Sequence, residues 1–146
     1  TKKQLEEVTP YKFAVKAPVT IACCADTTVL DKREQRVKEL LESGAFTDVE
    51  MDDPSSGKYQ KSLTEFISQM GYLAMNVAIA VEHMVLRATD LGLGSCWIGR
   101  IDTEKTRQIL GLSDDCRVIC LLPVGYPAQA PAQRPRLAKE DILLKT

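Results

Sequence analysis

The feature that most constrains the fold is a long segment with helical periodicity between Ser62 and Asp90. Apolar residues recur there at intervals of three and four: Leu63, Phe66, Ile67, Met70, Leu73, Ala74, Val77, Val81, Met84, Val85, Ala88 and, just beyond, Leu91. This is the 3.6-residue period of an α-helix about 43 Å long. Its middle, residues 70–81, is apolar on nearly every side, so we expect one face in the core and another at a subunit interface. Glycines at 92 and 94 suit the end of this helix.

Shorter elements are predicted on both sides of the long helix. Apolar β-like runs indicate strands, apolar spacing with a cap indicates helices, and turn formers indicate loops. The predictions are a buried strand over Ala17–Asp26, a helix over Asp31–Ser43, a loop over Phe46–Lys58, a short helix capped by Asp102 or Thr103, a strand over Arg117–Val124, an extended tail over Ala128–Arg136, and a short strand or interface segment at 141–144. The strand at 117–124 is apolar on both faces and should be central.

These elements predict one layered α+β domain. The 146 residues fit a single domain over 1–146. Nineteen basic residues against 20 acidic ones give a net charge of −1, which argues against a nucleic-acid partner. No apolar run is long enough to suggest a membrane span.

The five cysteines, at positions 23, 24, 96, 116 and 120, are best interpreted as free thiols. Their number is odd, and four of them lie in apolar runs, where free cysteine behaves as a small hydrophobic residue. The chain has only one histidine, so a metal site is not expected. The thiols favour a reducing, cytoplasmic location.

Motifs for catalysis are scarce, and we predict no catalytic side chain. Asp52 and Asp53 lie among turn formers and are expected to be solvated, and His83 is more typical of a packed or surface helical residue. Two features remain: a tight turn at Trp97-Ile98-Gly99, and Arg134-Pro135-Arg136 in the tail. The two guanidinium groups could clamp a phosphate, although spacing alone favours two solvated arginines.

Several segments in order resemble the nitroreductase family of flavin enzymes. In that family a long helix also ends in a Leu-Gly-Leu-Gly-Ser segment followed by a Trp-Ile-Gly-like turn. The similarity begins near Ala17-Pro18-Val19 and covers most of the chain. Its motifs are the run from Glu82 to Gly99, then Ile109-Leu110-Gly111-Leu112, then Cys120-Leu121-Leu122-Pro123-Val124-Gly125-Tyr126-Pro127, and then Arg134-Pro135-Arg136-Leu137.

The resemblance implies the family's layered α+β fold, with a central, mainly antiparallel sheet flanked by helices and one long interface helix. It also implies an FMN-dependent oxidoreductase. Hydride from NAD(P)H would reduce the flavin, which would then reduce a small electron-poor acceptor such as a nitroaromatic compound or a quinone. Trp97, Ile98 and Gly99 would lie along the isoalloxazine ring, with a main-chain N–H of the turn facing flavin N5 or O4. Arg134 and Arg136 would bind the FMN phosphate. The flavin would lie in a crevice between subunits of a homodimer formed through the 62–90 helix.

Two family segments do not occur in this sequence: an N-terminal Arg-Arg-Ser-x-Arg element and a Pro-Ser-x-x-Asn-x-Gln segment. We therefore expect the chain to lack the family's N-terminal segment. Two hypotheses follow. The first is a flavin oxidoreductase, and the alternative is a non-catalytic dimerising or regulatory module that keeps the fold with an incomplete flavin site. Retention of both the turn and the two arginines favours the first.

Overall fold

The computed structural model describes residues 2–45 and 69–143. The described elements are a 3₁₀ turn at Lys3–Glu7, helix α1 (Phe13–Lys16), strand β1 (Val19–Asp26), a 3₁₀ turn at Thr27–Leu30, helix α2 (Arg33–Glu42), helix α3 (Gln69–Asp90), strand β2 (Gly94–Ser95), helix α4 (Thr103–Ile109), strand β3 (Cys116–Gly125) and helix α5 (Lys139–Ile142). The predicted loop over 46–58, with Asp52 and Asp53, and the first part of the predicted long helix lie outside these residues.

The described strands form one antiparallel sheet in the order β1-β3-β2. The sheet pairs Val19 with Val124 at one end of β1 and Asp26 with Cys116 at the other. A bulge interrupts the register between Cys23 and Cys24. The prediction that β3 is central is confirmed, and so is the layered α+β architecture.

Strand β3 is central because both of its faces are covered. Leu121 and Leu122 are fully buried, and successive strand residues point to opposite faces. On one face, helix α3 packs Val81 against Cys23, Cys120 and Leu122. On the other face the cluster is Ala14, Ile98 and Leu121, with Ala22 and Ile101 packed against it.

Helix α3 ends as its sequence predicts. Gly92 has a φ of +72°, in the left-handed region that glycine adopts without steric cost. The N–H of Gly92 donates to the Thr89 carbonyl (2.9 Å), and the N–H of Leu93 donates to the Ala88 carbonyl (2.8 Å). This Schellman motif stops the helix and turns the chain directly into β2.

Two further predictions concern the later helices. The Asp102 side chain accepts a hydrogen bond from the Lys105 N–H (2.9 Å), so Asp102, and not Thr103, caps α4. The strand considered for 141–144 is wrong over its described residues, since Asp141 and Ile142 belong to the short helix α5. Glu140 and Asp141 lie in the first turn of α5, where negative charge is favourable.

Candidate cofactor site

The Trp97-Ile98-Gly99 turn is fixed to the central strand through Ile98. The Ile98 N–H donates to the Leu121 carbonyl (2.9 Å), and the Leu121 N–H donates to the Ile98 carbonyl (3.0 Å). The Ile98 side chain is 1% exposed and lies in the core. The side chain and the N–H of Ile98 are therefore both engaged by the fold, and this residue positions its two neighbours.

Gly99 is the open end of the turn. It is exposed, and a Cβ built on it would meet no atom within 4 Å. Within the described part of the chain, no acceptor is recorded for its N–H. The Gly99 peptide can therefore be approached closely from outside and can donate a hydrogen bond to a bound group.

Trp97 presents an indole at the edge of the same turn. Its side chain is 39% exposed, and its Nε1–H donates to Oε2 of Glu82 on α3 over 3.3 Å. Sequence reasoning missed Glu82 as a residue of this region. The two residues are 15 positions apart, and no local pattern links a helical glutamate to a tryptophan beyond the end of its helix.

Arg134 and Arg136 lie in the tail between β3 and α5, which has no regular structure, as predicted. Both side chains are exposed, and neither forms a hydrogen bond or ion pair with any residue between 2 and 45 or 69 and 143. No hydrogen bond joins them to the turn. The structure thus gives an ordered turn and, apart from it, two cations that have no partner within residues 2–45 and 69–143.

The start of the tail is held by close contacts between glycine and proline. A Cβ on Gly125 would lie 2.5 Å from Pro18 Cδ and 2.8 Å from its Cγ. A Cβ on Gly94, which pairs with Gly125 across the sheet, would lie 3.3 Å from Pro127 Cβ. These contacts bring the ends of the three strands together. The sequence contains the Gly125-Tyr126-Pro127 motif, but the contact between Gly125 and Pro18 could not be predicted from it, because this contact forms only in the folded chain.

A cleft lined by described residues is separate from the turn. It has a volume of about 140 Å³ and is lined by Met70, Thr103, Glu104, Arg107, Cys116, Arg117, Val118 and Ile119. Arg107 is already engaged there, with Nη2 2.6 Å from Glu104 and Nη1 2.6 Å from Asp114. Its hydrogen bonds hold the pKa of Glu104 low, at about 2. This cleft contains none of the residues expected to contact a cofactor.

The five cysteines are free thiols. Burial is the main cause that raises the pKa of Cys120 to about 12. Burial and, next to it, the neighbouring Cys116 raise the pKa of Cys24 to about 12. No group of three potential metal ligands is found in the two described ranges. Among the helices described, none is both long and apolar enough to cross a membrane.

Comparison with known proteins agrees with this architecture. Residues 67–126 match the sequence profile of the Nitroreductase family. The chain is 31% identical over 88 residues to an FMN reductase (NADPH) of Bacillus subtilis, and 34% identical over 88 residues to an NADPH-dependent oxidoreductase of Staphylococcus haemolyticus. The matches cover 59% and 56% of this chain, but each spans only 35% of the relative.

Solved structures extend the similarity to almost the whole chain. A nitroreductase family protein from Streptococcus pneumoniae has a TM-score of 0.66 at 24% identity, with 100% of this chain and 76% of that one covered. A protein of Exiguobacterium sibiricum, solved in complex with FMN, has a TM-score of 0.70 at 18% identity, with 99% and 71% covered. Residues 67–126 are thus similar to the Nitroreductase family, and the described residues have the fold of its solved members.

Proposed function

We propose that this chain forms the flavin-binding part of an FMN-dependent oxidoreductase. In this proposal NAD(P)H is the reductant, and a nitroaromatic compound, a quinone or a similar electron-poor molecule is the acceptor. The observation that carries it is the Trp97-Ile98-Gly99 turn, held by two hydrogen bonds to β3 while its last peptide stays open. Relatives named FMN reductase (NADPH) and NADPH-flavin oxidoreductase support the choice of cofactor and reductant.

The residues present fit FMN, which has a planar ring at one end and a phosphate at the other. Gly99 offers an unobstructed N–H, and Trp97 offers a half-buried aromatic surface next to it. Arg134 and Arg136 are cations without a partner in the described chain, and guanidinium groups bind phosphate through paired, charge-assisted hydrogen bonds. A bound flavin would supply the redox chemistry, accepting hydride and passing electrons on.

The task of the protein residues is then to place the ring and to stabilise negative charge on it. The Gly99 N–H would donate to the ring edge at N5 or O4. The bridge between Ile98 and Leu121 would keep this donor in position, so that little reorganisation is needed when charge develops. Because the flavin carries the reaction, no acid–base side chain is required of this chain. The two arginines would hold the phosphate end.

We also propose that the protein works as a homodimer through the 62–90 helix. Helix α3 packs Val81 into the core, yet it leaves large apolar side chains outward: Met75 is 44% exposed, Ile79 53% and Leu86 59%. An amphipathic helix in a single subunit would carry polar residues there. A second copy would cover this stripe and form the crevice in which the flavin lies. Five free thiols support a reducing, cytoplasmic location.

The direct test is to titrate the purified chain with FMN and to follow the visible absorption of the flavin and the protein's tryptophan fluorescence. The proposal expects saturable binding, and bleaching of the bound flavin by NADH or NADPH under anaerobic conditions. Addition of a quinone should then restore the absorption. Failure to bind FMN at concentrations that saturate other flavin reductases would refute it.

A further inference from the structure

Trp97 is the only tryptophan of the chain, and one polar contact orients it. An indole N–H can donate but not accept, so it can be held by one acceptor. Here the acceptor is Glu82 Oε2, at 3.3 Å. The indole is 39% exposed, so packing alone leaves it room to move.

Glu82 has no other recorded partner among the described residues. The nearest arginine or lysine along the helix, Arg87, is paired with Asp90 instead, and no contact joins Glu82 to the adjacent His83 among the described residues. Ile79 and Leu86, its neighbours on the same side of α3, are exposed apolar residues and offer no hydrogen bond. Glu82 is exposed, and among the described residues its carboxylate contacts only the indole N–H, which links the outer face of α3 to the turn.

We propose that Glu82 is a positioning residue for Trp97: its carboxylate holds the indole at the edge of the candidate cofactor site. The inference rests on the proposed function, because the position of the indole matters only if a ring binds beside it. A distance of 3.3 Å is at the long end for N–H···O, so the restraint is modest. We expect an effect of a few-fold on binding.

The test compares two neutral side chains of similar length. Glu82→Gln keeps a carbonyl oxygen that can accept from Nε1–H, whereas Glu82→Met has none. Both lose the charge, so a difference between them reports the hydrogen bond. Steady-state fluorescence anisotropy of Trp97 is measured in the full chain without ligand, and FMN affinity is measured by quenching. Circular dichroism and sedimentation check folding and oligomeric state, and Glu82→Ala replaces the Met variant if that variant does not fold.

The proposal expects lower anisotropy for Glu82→Met and the wild-type value for Glu82→Gln. The dissociation constant for FMN should rise about 2- to 10-fold in the Met variant and stay within about 2-fold in the Gln variant. Wild-type anisotropy in both variants would overturn it, because the indole would then be held by other contacts. If the wild-type chain binds no FMN, the proposed function fails and the indole has no flavin ring to be positioned against. The anisotropy comparison still decides separately whether Glu82 holds the indole.

Discussion

Ile98 and Leu121 exchange two backbone hydrogen bonds, of 2.9 and 3.0 Å, and both side chains lie in the same buried cluster. The turn that precedes α4 is therefore an extension of the sheet. Because Ile98 is held both by these bonds and by its buried side chain, we expect it to fix the position of its neighbours Trp97 and Gly99.

Shortening Ile98 tests this link between the core and the turn. Ile98→Ala leaves a cavity beside Leu121 and is expected to lower the free energy of unfolding by about 2–5 kcal/mol, measured by urea denaturation. Ile98→Val, which removes one methylene, should cost about 0.5–1.5 kcal/mol. FMN affinity should fall in the same order. Equal affinities in the two variants would show that the turn does not depend on the core.

Gly125 has no room for a side chain. In Gly125→Ala the new Cβ would meet Pro18 Cδ at 2.5 Å, and because the proline ring cannot rotate away, the backbone must shift. We expect a loss of about 1–3 kcal/mol in the free energy of unfolding.

Gly99→Ala is the matched control for this substitution. Nothing lies within 4 Å of its new Cβ, so the free energy of unfolding should stay close to wild type. Its FMN affinity should nevertheless fall, because the methyl group would occupy open space next to the N–H proposed to donate to the ring. A destabilised Gly99→Ala variant with unchanged FMN affinity would contradict both expectations.

Arg134 and Arg136 are expected to affect binding without affecting folding. Both are exposed and have no partner among the described residues, so Arg134→Ala and Arg136→Ala should leave urea unfolding unchanged. Each should weaken FMN binding about 10-fold or more, since hydrogen bonds to a charged group are worth about 1.5–3 kcal/mol. Binding of riboflavin, which lacks the phosphate, should not change. Lys139→Ala, an exposed cation at the start of α5, is the control and should bind FMN normally.

The elements that local sequence determines were predictable. The period of α3, the apolar composition of β3 and the glycine at position 92 each act within a few residues, and the structure has all three features. Contacts between distant segments were not predictable. Val8 accepts from the Asp102 N–H (2.8 Å), and Thr9 Oγ1 donates to the Arg100 carbonyl (3.1 Å). Nothing in the short charged opening segment indicated that it would pack against the residues after the turn.

The candidate site likewise combines local features that the sequence predicts with contacts between distant segments that it does not. The Trp97-Ile98-Gly99 turn follows from its sequence motif, but the anchoring of Ile98 to Leu121 requires the sheet to form. The contact between Glu82 and Trp97 could not be predicted, because it depends on α3 lying beside the turn. No contact among the described residues links Arg134 or Arg136 to the turn, so their shared role in binding stays a prediction.

Thiol reactivity should separate the cysteines by environment. With a pKa of about 12, Cys24 and Cys120 carry a thiolate fraction of only about 10⁻⁴ at pH 8, and the thiolate is the reactive form. Cys96 is exposed and should react first with Ellman's reagent. Cys96→Ser should remove the fast phase, and denaturation of the wild type should release all five thiols. A fast phase that persists in Cys96→Ser would show that a strand cysteine is accessible.

The ion pair between Glu104 and Arg107 should make stability depend on acid pH. Hydrogen bonds from Arg107 and Gln108 lower the pKa of Glu104 from 4.5 to about 2 in the folded chain. A lowered carboxyl pKa stabilises the fold above the unfolded value, and this contribution is lost as the pH falls from about 4.5 towards 2. Glu104→Gln removes the titrating group. The urea midpoint of the wild type should therefore be higher than that of the variant at pH 7, and the two midpoints should converge near pH 2. Glu140→Gln, at an exposed carboxylate without an ion pair in the described chain, should follow wild type throughout. If the difference in urea midpoint between wild type and Glu104→Gln stays constant from pH 7 to pH 2, the charge of Glu104 does not stabilise α4.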